Sequence, residues 1–216
     1  MLGTGEERPL RTSAPALQWV DSVTLVGRSS GAPTAPFELI DAGTGSVSAL
    51  PEVPSRVSLP VARVTDGWAW VEKEPTRIII RRGGRDQTIA VPAGIGAARF
   101  LVASPSGEQL LLAGKTKGGH QLAVARIDAA EVTSWSEVQG FLHSATFTGD
   151  GQVAVVRRIE TGPLELLRWS TPGEAQGKEV ISKVAVGLVT ISQDLRRVAF
   201  PSREYRGDAW MYRVVK

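Results

Sequence analysis

Five times along the chain, at spacings near 40 residues, a short apolar run ends in a polar turn and is followed by a second and then a third apolar run. A strand-built repeat of this length cannot bury its apolar face alone, so successive copies must stack. The period therefore predicts an array of small β-sheets rather than a pocketed α/β enzyme. It constrains architecture far more than chemistry.

The first turn of each repeat sets the register. Residues 17–20 run into Asp21-Ser22, 61–64 into Thr65-Asp66-Gly67, and 100–103 into Ser104-Pro105-Ser106-Gly107. Residues 145–147 run into Thr148-Gly149-Asp150-Gly151, and 188–191 into Ser192-Gln193-Asp194. Asp, Ser, Thr and Gly either hydrogen-bond their own backbone or accept positive φ, which is hairpin chemistry. A second run follows each turn, at 23–28, 68–72, 109–113, 153–157 and 197–200, rich in Val, Leu, Ile and Trp as a pleated, half-buried surface requires.

Third runs lie at 37–40, 77–81, 121–127, 164–169 and 210–215. Several alternate apolar with polar residues, so one face is buried and the other partly wet. Units one to four add a more polar fourth run, at 46–50, 87–91, 131–135 and 179–184, the composition of an exposed edge strand. The fifth unit reaches Lys216 without one. Residues 9–12 are the expected outer strand of that last unit, with an unstructured start as the alternative.

Four short strands per unit at this period describe a β-propeller blade. The expected fold is all-β, a propeller of about five four-stranded blades closed by the N-terminal strand. The expected organisation is an N-terminal segment at 1–14 and a propeller at 15–216, with blades near 15–56, 57–96, 97–139, 140–184 and 185–216. The other reading of the count is that these units are the tail of a six- or seven-bladed ring whose remaining blades sit on another chain.

The segments Ala103-Ser104-Pro105-Ser106-Gly107-Glu108 before Leu110-Leu111-Leu112, and Ile191-Ser192-Gln193-Asp194 before Arg197-Val198-Ala199-Phe200, carry a resemblance. They look like the S-P-D-G-x-x-I-A-F blade of TolB-like, WD-repeat-related propellers, and Asp208-Ala209-Trp210-Met211-Tyr212 resembles that blade's third strand. The match covers units three to five better than one and two, and no unit has the Gly-His start or Trp-Asp end of a true WD repeat. The TolB family is periplasmic, so the resemblance implies that compartment. Residues 1–13 lack the apolar stretch of a secretory leader, which points instead to the cytoplasm.

Composition narrows the function classes. The chain has 216 residues, 42% hydrophobic, with 23 Gly and 13 Pro, enough apolar content for a core but too much punctuation for long helices. No run approaches 18 consecutive apolar residues, so no membrane span is expected. Zero cysteines exclude disulfides, Cys-based zinc sites and thiol catalysis. A net charge of +3, spread over most units, does not make the dense basic patch of a nucleic-acid binder.

Catalytic motifs fail one by one. Gly114-Lys115-Thr116 resembles the end of a P-loop, but Gln109 stands where the loop needs Gly. No Gly-x-Ser-x-Gly elbow is present. The two histidines, His120 and His143, have no partner at metal-ligand spacing, and His120 is expected on a loop. Asp66, Asp150 and Asp194 recur because the turn needs them. A glycosidase would instead set two carboxylates facing each other across a cavity. The expectation is a chain that is not an enzyme and carries no metal or cofactor.

The residues expected near the starts of the inner strands, lining the central channel, are Gln18, Arg63, Arg99, His143 and Ser144. They are polar, partly cationic and free of carboxylate, a mouth suited to an anionic ligand or acidic peptide tail. Of the six Trp, Trp68, Trp70, Trp169 and Trp210 are expected between blades, Trp19 at the channel and Trp135 at a surface contact. The expected function is a scaffold or recognition module for a protein or peptide partner, an acidic one on this reasoning, acting alone or within a larger assembly. The alternative is a carbohydrate or small-molecule binder or hydrolase using the central cavity.

Overall fold

The computed structural model describes residues 7–10, 17–30, 32–57, 59–73, 76–95, 98–182, 190–201 and 209–213. Strand β1 (Glu7–Leu10) comes first, and four antiparallel sheets of four strands follow, each laid down by one continuous stretch of chain. The first holds β2 (Leu17–Trp19), β3 (Thr24–Arg28), β4 (Phe37–Asp41) and β5 (Val47–Leu50). The second holds β6 (Val61–Val64), β7 (Gly67–Lys73), β8 (Thr76–Arg82) and β9 (Arg85–Ala90). The third holds β10 (Ala98–Ala103), β11 (Gln109–Lys115), β12 (Gly119–Arg126) and β13 (Glu131–Gln139). The fourth holds β14 (Phe141–Phe147), β15 (Val153–Arg158), β16 (Leu164–Trp169) and β17 (Gly177–Ser182).

A further sheet is composite. It contains β18 (Thr190–Ile191), β19 (Arg197–Pro201) and β20 (Ala209–Arg213), and its outer position is taken by β1 from the other end of the chain, Glu7 lying opposite Tyr212 and Leu10 opposite Ala209. Thr12, the last residue of the expected closing strand, lies outside the described residues. The architecture is an all-β propeller. One 3-10 turn, Ala93–Ile95, interrupts the strands.

Why these runs become blades is clearest in the third sheet. Leu110, Leu112, Ala123 and Ala125 pack toward the second sheet with Ala62, Ile78 and Ile80, while Leu111, Ala113, Leu122 and Val124 pack toward the fourth with Leu142, Val153 and Val155. A strand covered on both faces has no polar side to show, which is why 110–113 reads Leu-Leu-Leu-Ala without alternation. Each leucine so buried contributes about 2 kcal/mol. Trp68 and Trp70 fill the seam between sheets one and two, and Trp169 the seam between three and four. A Cβ on Gly114 would stand 1.6 Å from the Ile95 carbonyl oxygen, so only glycine lets the 3-10 turn approach β11.

Side-chain hydrogen bonds tie the inner strands together. The Gln18 amide, on the first sheet, donates to the Val61 carbonyl (3.0 Å) on the second and the Leu101 carbonyl (2.6 Å) on the third. Gln193 donates to the Ala103 carbonyl at 3.0 Å, and Trp19 Nε1 donates to the Thr190 carbonyl at 3.2 Å. The Ile191 amide donates to Ser144 Oγ at 3.2 Å. The Gln18–Leu101 and Gln193–Ala103 bonds thus join parts of the fold that are not neighbours in chain order. Trp19 bridges the first sheet and the composite one, and it is almost fully buried.

Candidate functional site

The inner strands have two ends, and the residues expected at one channel mouth divide between them. Arg63 is next to the last residue of β6, beside the turn; its side chain is 57% exposed and pairs with Asp21 at 3.7 Å. Arg99 and His143 lie at the other end, early in β10 and β14. Gln18 is buried in the hydrogen bonds described above, and Ser144 is buried against Ile191. The structure therefore brings Arg99 and His143 together and leaves Arg63 on the opposite face.

Arg99 and His143 occupy equivalent irregularities. In the β10–β11 pair Ala98 faces Gly114 and Phe100 already faces Ala113, so Arg99 is the extra residue of a bulge. In the β14–β15 pair Leu142 faces Arg157 and Ser144 faces Val156, which makes His143 the extra residue of the adjacent strand. A bulge re-aims its side chain relative to the pleat. The Arg99 guanidinium lies over the Phe141 ring, 4.4 Å from its centroid, and Phe141 meets His143 edge-on at 4.8 Å.

His120 completes the corner. The expected loop position is corrected: His120 is the second residue of β12, paired with Lys115 of β11 on one side and Val138 of β13 on the other. A hairpin two residues tighter than the polar segment suggested carries it into the ladder. It is 4% exposed, and neither ring nitrogen has a hydrogen-bond partner of good geometry. Burial, then the charges of Arg99 and Lys115, push the imidazole below its ordinary value of 6.5, and the Gly140 backbone opposes them only in part. No carboxylate acts on it among the described residues.

Phe141 and Ile159 flank this cluster and are exposed, each at 40%. Their backbones are neighbours across the β14–β15 pair: Phe141 pairs with Arg158, and the Ile159 Cα stands 3.3 Å from where a Gly140 Cβ would be. Sequence reasoning missed His120, Phe141 and Ile159; a bulky apolar residue following Gly140 at the start of a buried strand was the available signal. Nearby in the fourth sheet, Glu165 is buried but already engaged by Arg157 (3.1 Å) and Lys178 (2.6 Å). Chemically, the corner offers a guanidinium stacked on an exposed aromatic ring, a buried imidazole in His120 and a second exposed apolar residue in Ile159.

Trp135 lies in β13, the outer strand of the third sheet, as the edge-strand reading expects. It is the extra residue of a bulge in β13, between Ser134 facing Ala123 and Ser136 facing Leu122. Its ring is half-buried against the core between sheets three and four, and its carbonyl accepts from the Gly173 amide at 3.1 Å. Gly173 also accepts from Ser136 Oγ at 2.6 Å and Trp169 Nε1 at 3.1 Å, so the 170–176 loop folds over this edge.

Three of the turn aspartates, Asp21, Asp150 and Asp194, are occupied locally. Asp21 Oδ1 accepts from the Val23 and Thr24 amides at 2.8 and 2.7 Å. Asp194 accepts from Ser192 Oγ at 2.6 Å and the Arg196 amide at 3.0 Å, Asp150 accepts from the Thr148 hydroxyl, and Asp66 adopts a φ of 57°. Among the described residues no three His, Asp or Glu side chains gather as metal ligands would. No helix among them is long and apolar enough to cross a membrane.

No protein-family model matches the chain, and no curated protein sequence matches it. Solved structures do share its fold, the β-propeller, TolB proteins among them. A gluconolactonase from Xanthomonas campestris superposes with a TM-score of 0.60 at 12% identity, over 99% of this chain and 91% of that one. A nidogen/laminin complex gives 0.56 at 14% identity, over 86% and 70%. TolB from Acinetobacter baumannii gives 0.51 at 12% identity, over 91% of this chain, which spans 65% of the TolB length. The expectation that the chain is not an enzyme is corrected by the first of these: a propeller matching nearly its whole length is a gluconolactonase, so failed motifs and missing cavity carboxylates do not exclude catalysis.

Proposed function

We propose that the chain is a recognition module that binds an acidic protein or peptide segment. In this reading the five sheets close as a ring, with β1 completing the last. The ring holds the corner between sheets three and four rigid, and rigid scaffolds are where binding loops and strand ends are presented with little entropy cost. The observation that carries the reading is the Arg99 guanidinium stacked on the exposed Phe141 ring beside the buried His120, a place where no carboxylate among the described residues acts on His120. Positive charge on a partly apolar ledge steers and holds an anionic partner. The bore is the poorer location for a ligand, because Gln18 and Gln193 bridge it from buried positions.

The test is a pull-down of the tagged chain from its native lysate at low and high salt, beside Arg99→Glu and Arg63→Glu. A stoichiometric partner is expected to be retained by the unaltered chain and by Arg63→Glu, and to be lost with Arg99→Glu or at high salt. Retention by Arg99→Glu, or no partner under any condition, overturns the reading.

A further inference from the structure

We infer that the corner between sheets three and four recognises a carboxylate carried next to a large aliphatic side chain, the carboxylate meeting Arg99 and the aliphatic group resting on Phe141 and Ile159. This inference rests on the acidic-partner reading above and names the chemistry of what that partner presents.

Three observations converge on it. First, Phe141 does two things at once: its face holds the Arg99 guanidinium at 4.4 Å, and the residue is still 40% exposed. A cation stacked on a ring keeps its outward N–H groups available in a fixed plane, the geometry that suits a bidentate carboxylate. Second, Ile159 adds a second exposed apolar group beside Phe141, in a protein whose apolar side chains are otherwise mostly covered. An exposed aromatic ring bordering a cation, with a second exposed apolar residue one step further along the register, rewards a ligand that has an apolar part and an anionic part close together. Third, His120 lies beneath, 96% buried and without a well-formed hydrogen bond, near enough to Arg99 for their charges to act on each other. A buried polar group left this way is stabilised when an anion arrives.

The register keeps these groups together. Gly140 holds the chain at φ 88° between β13 and β14, and a Cβ there would stand 2.5 Å from the Arg158 carbonyl oxygen, so the short connection hugs the end of β15 that carries Ile159.

The experiment is a titration of the full ¹⁵N-labelled chain followed by amide shifts, using three probes: N-acetyl-L-leucine, acetate and N-acetyl-L-leucinamide. N-acetyl-L-leucine is expected to shift the amides of Arg99, His120, Phe141 and Ile159 saturably, binding about fivefold or more tighter than acetate, while the uncharged leucinamide leaves them unmoved. Ile159→Ser, a change at an exposed position, is expected to erase the advantage over acetate without altering acetate binding. Equal binding of acetate and N-acetyl-L-leucine overturns this inference and leaves the acidic-partner reading standing. Shifts from the leucinamide equal to those from the acid, or no shifts from any probe, overturn both.

Discussion

The two ends of the inner strands carry the same kinds of side chain and use them oppositely. At the turn end Arg63 is answered by Asp21, and Asp21, Asp150 and Asp194 are answered by their own turn hydroxyls or amides. At the other end Arg99 rests on an aromatic ring, Lys115 and Arg99 both press on a buried histidine, and no carboxylate among the described residues acts on that histidine. Turn chemistry requires aspartate and so neutralises its own face. Strand starts have no such requirement, so a cation placed there is not neutralised by the turn itself.

The sharpest contrast lies within the second end itself. Glu165 neutralises Arg157 and Lys178 a short way from the corner where no acid does so for Arg99. Burial alone would raise its carboxyl, but the hydrogen bonds from Lys178 and Arg157 outweigh that and hold it below its ordinary 4.5. Such a group contributes stability that is fully present above pH 4.5 and is lost as the pH falls through the lower folded value. Glu165→Ala leaves Arg157, only 15% exposed, without its counter-charge and is expected to cost about 3 kcal/mol. Urea denaturation at pH 7 measures it. A loss under about 1 kcal/mol would mean that this ion cluster is as solvent-screened as a surface pair, and the contrast with Arg99 would disappear.

Next in size is Gln18. Replacing it with Leu keeps the volume but removes the donor shared by Val61 and Leu101, so two carbonyls inside the ring lose a partner at a cost of about 2 kcal/mol. A neutral result in the same denaturation series would show that the inner strands are held by sheet packing alone.

How much of this was legible in the sequence follows from what each feature depends on. The sheets were, because turn residues such as Ser104-Gly107 and Ser192-Asp194 recur locally and apolar runs such as 110–113 show burial on both faces. Arg99 and His143 were legible as inner-strand residues. Their meeting was not, because it depends on two bulges, and a bulge is a property of how two strands pair rather than of either one. Arg63 was grouped with them although it adjoins the turn at Thr65-Asp66, a distinction of two or three residues that decides which face a side chain reaches. Trp135 was legible as an edge-strand residue, but not the packing of the 170–176 loop, far along the chain, against that edge.

His120 sharpens the comparison through pH. Its imidazole is held below 6.5 in the folded chain, so the unfolded chain takes up the proton first. Stability is full above about pH 6.5 and declines as the pH falls from there toward the folded value, and in His120→Leu that component of the decline is absent. Anion binding works the other way. A carboxylate beside Arg99 favours the charged imidazole, so affinity for N-acetyl-L-leucine is expected to rise as the pH falls below 6.5 and to lose that dependence in His120→Leu. Affinity flat in pH for the unaltered chain would show that the anion sits beyond reach of His120.

The smallest effect tests the division of the two faces most directly. Arg63 is more exposed than buried and its 3.7 Å contact with Asp21 is loose, so Arg63→Ala is expected to change stability by no more than about 0.5 kcal/mol. It is also expected to leave N-acetyl-L-leucine binding untouched, because the residue lies at the far end of its strand. Arg99→Ala removes a cation of the same kind and is expected to abolish that binding. If instead Arg63→Ala weakens the ligand as much as Arg99→Ala does, the anion is being held by the summed charge of the ring, and the corner has no special standing. Repeating both titrations at high salt separates the cases, since diffuse attraction is screened over roughly 8 Å at physiological ionic strength while a direct guanidinium contact persists.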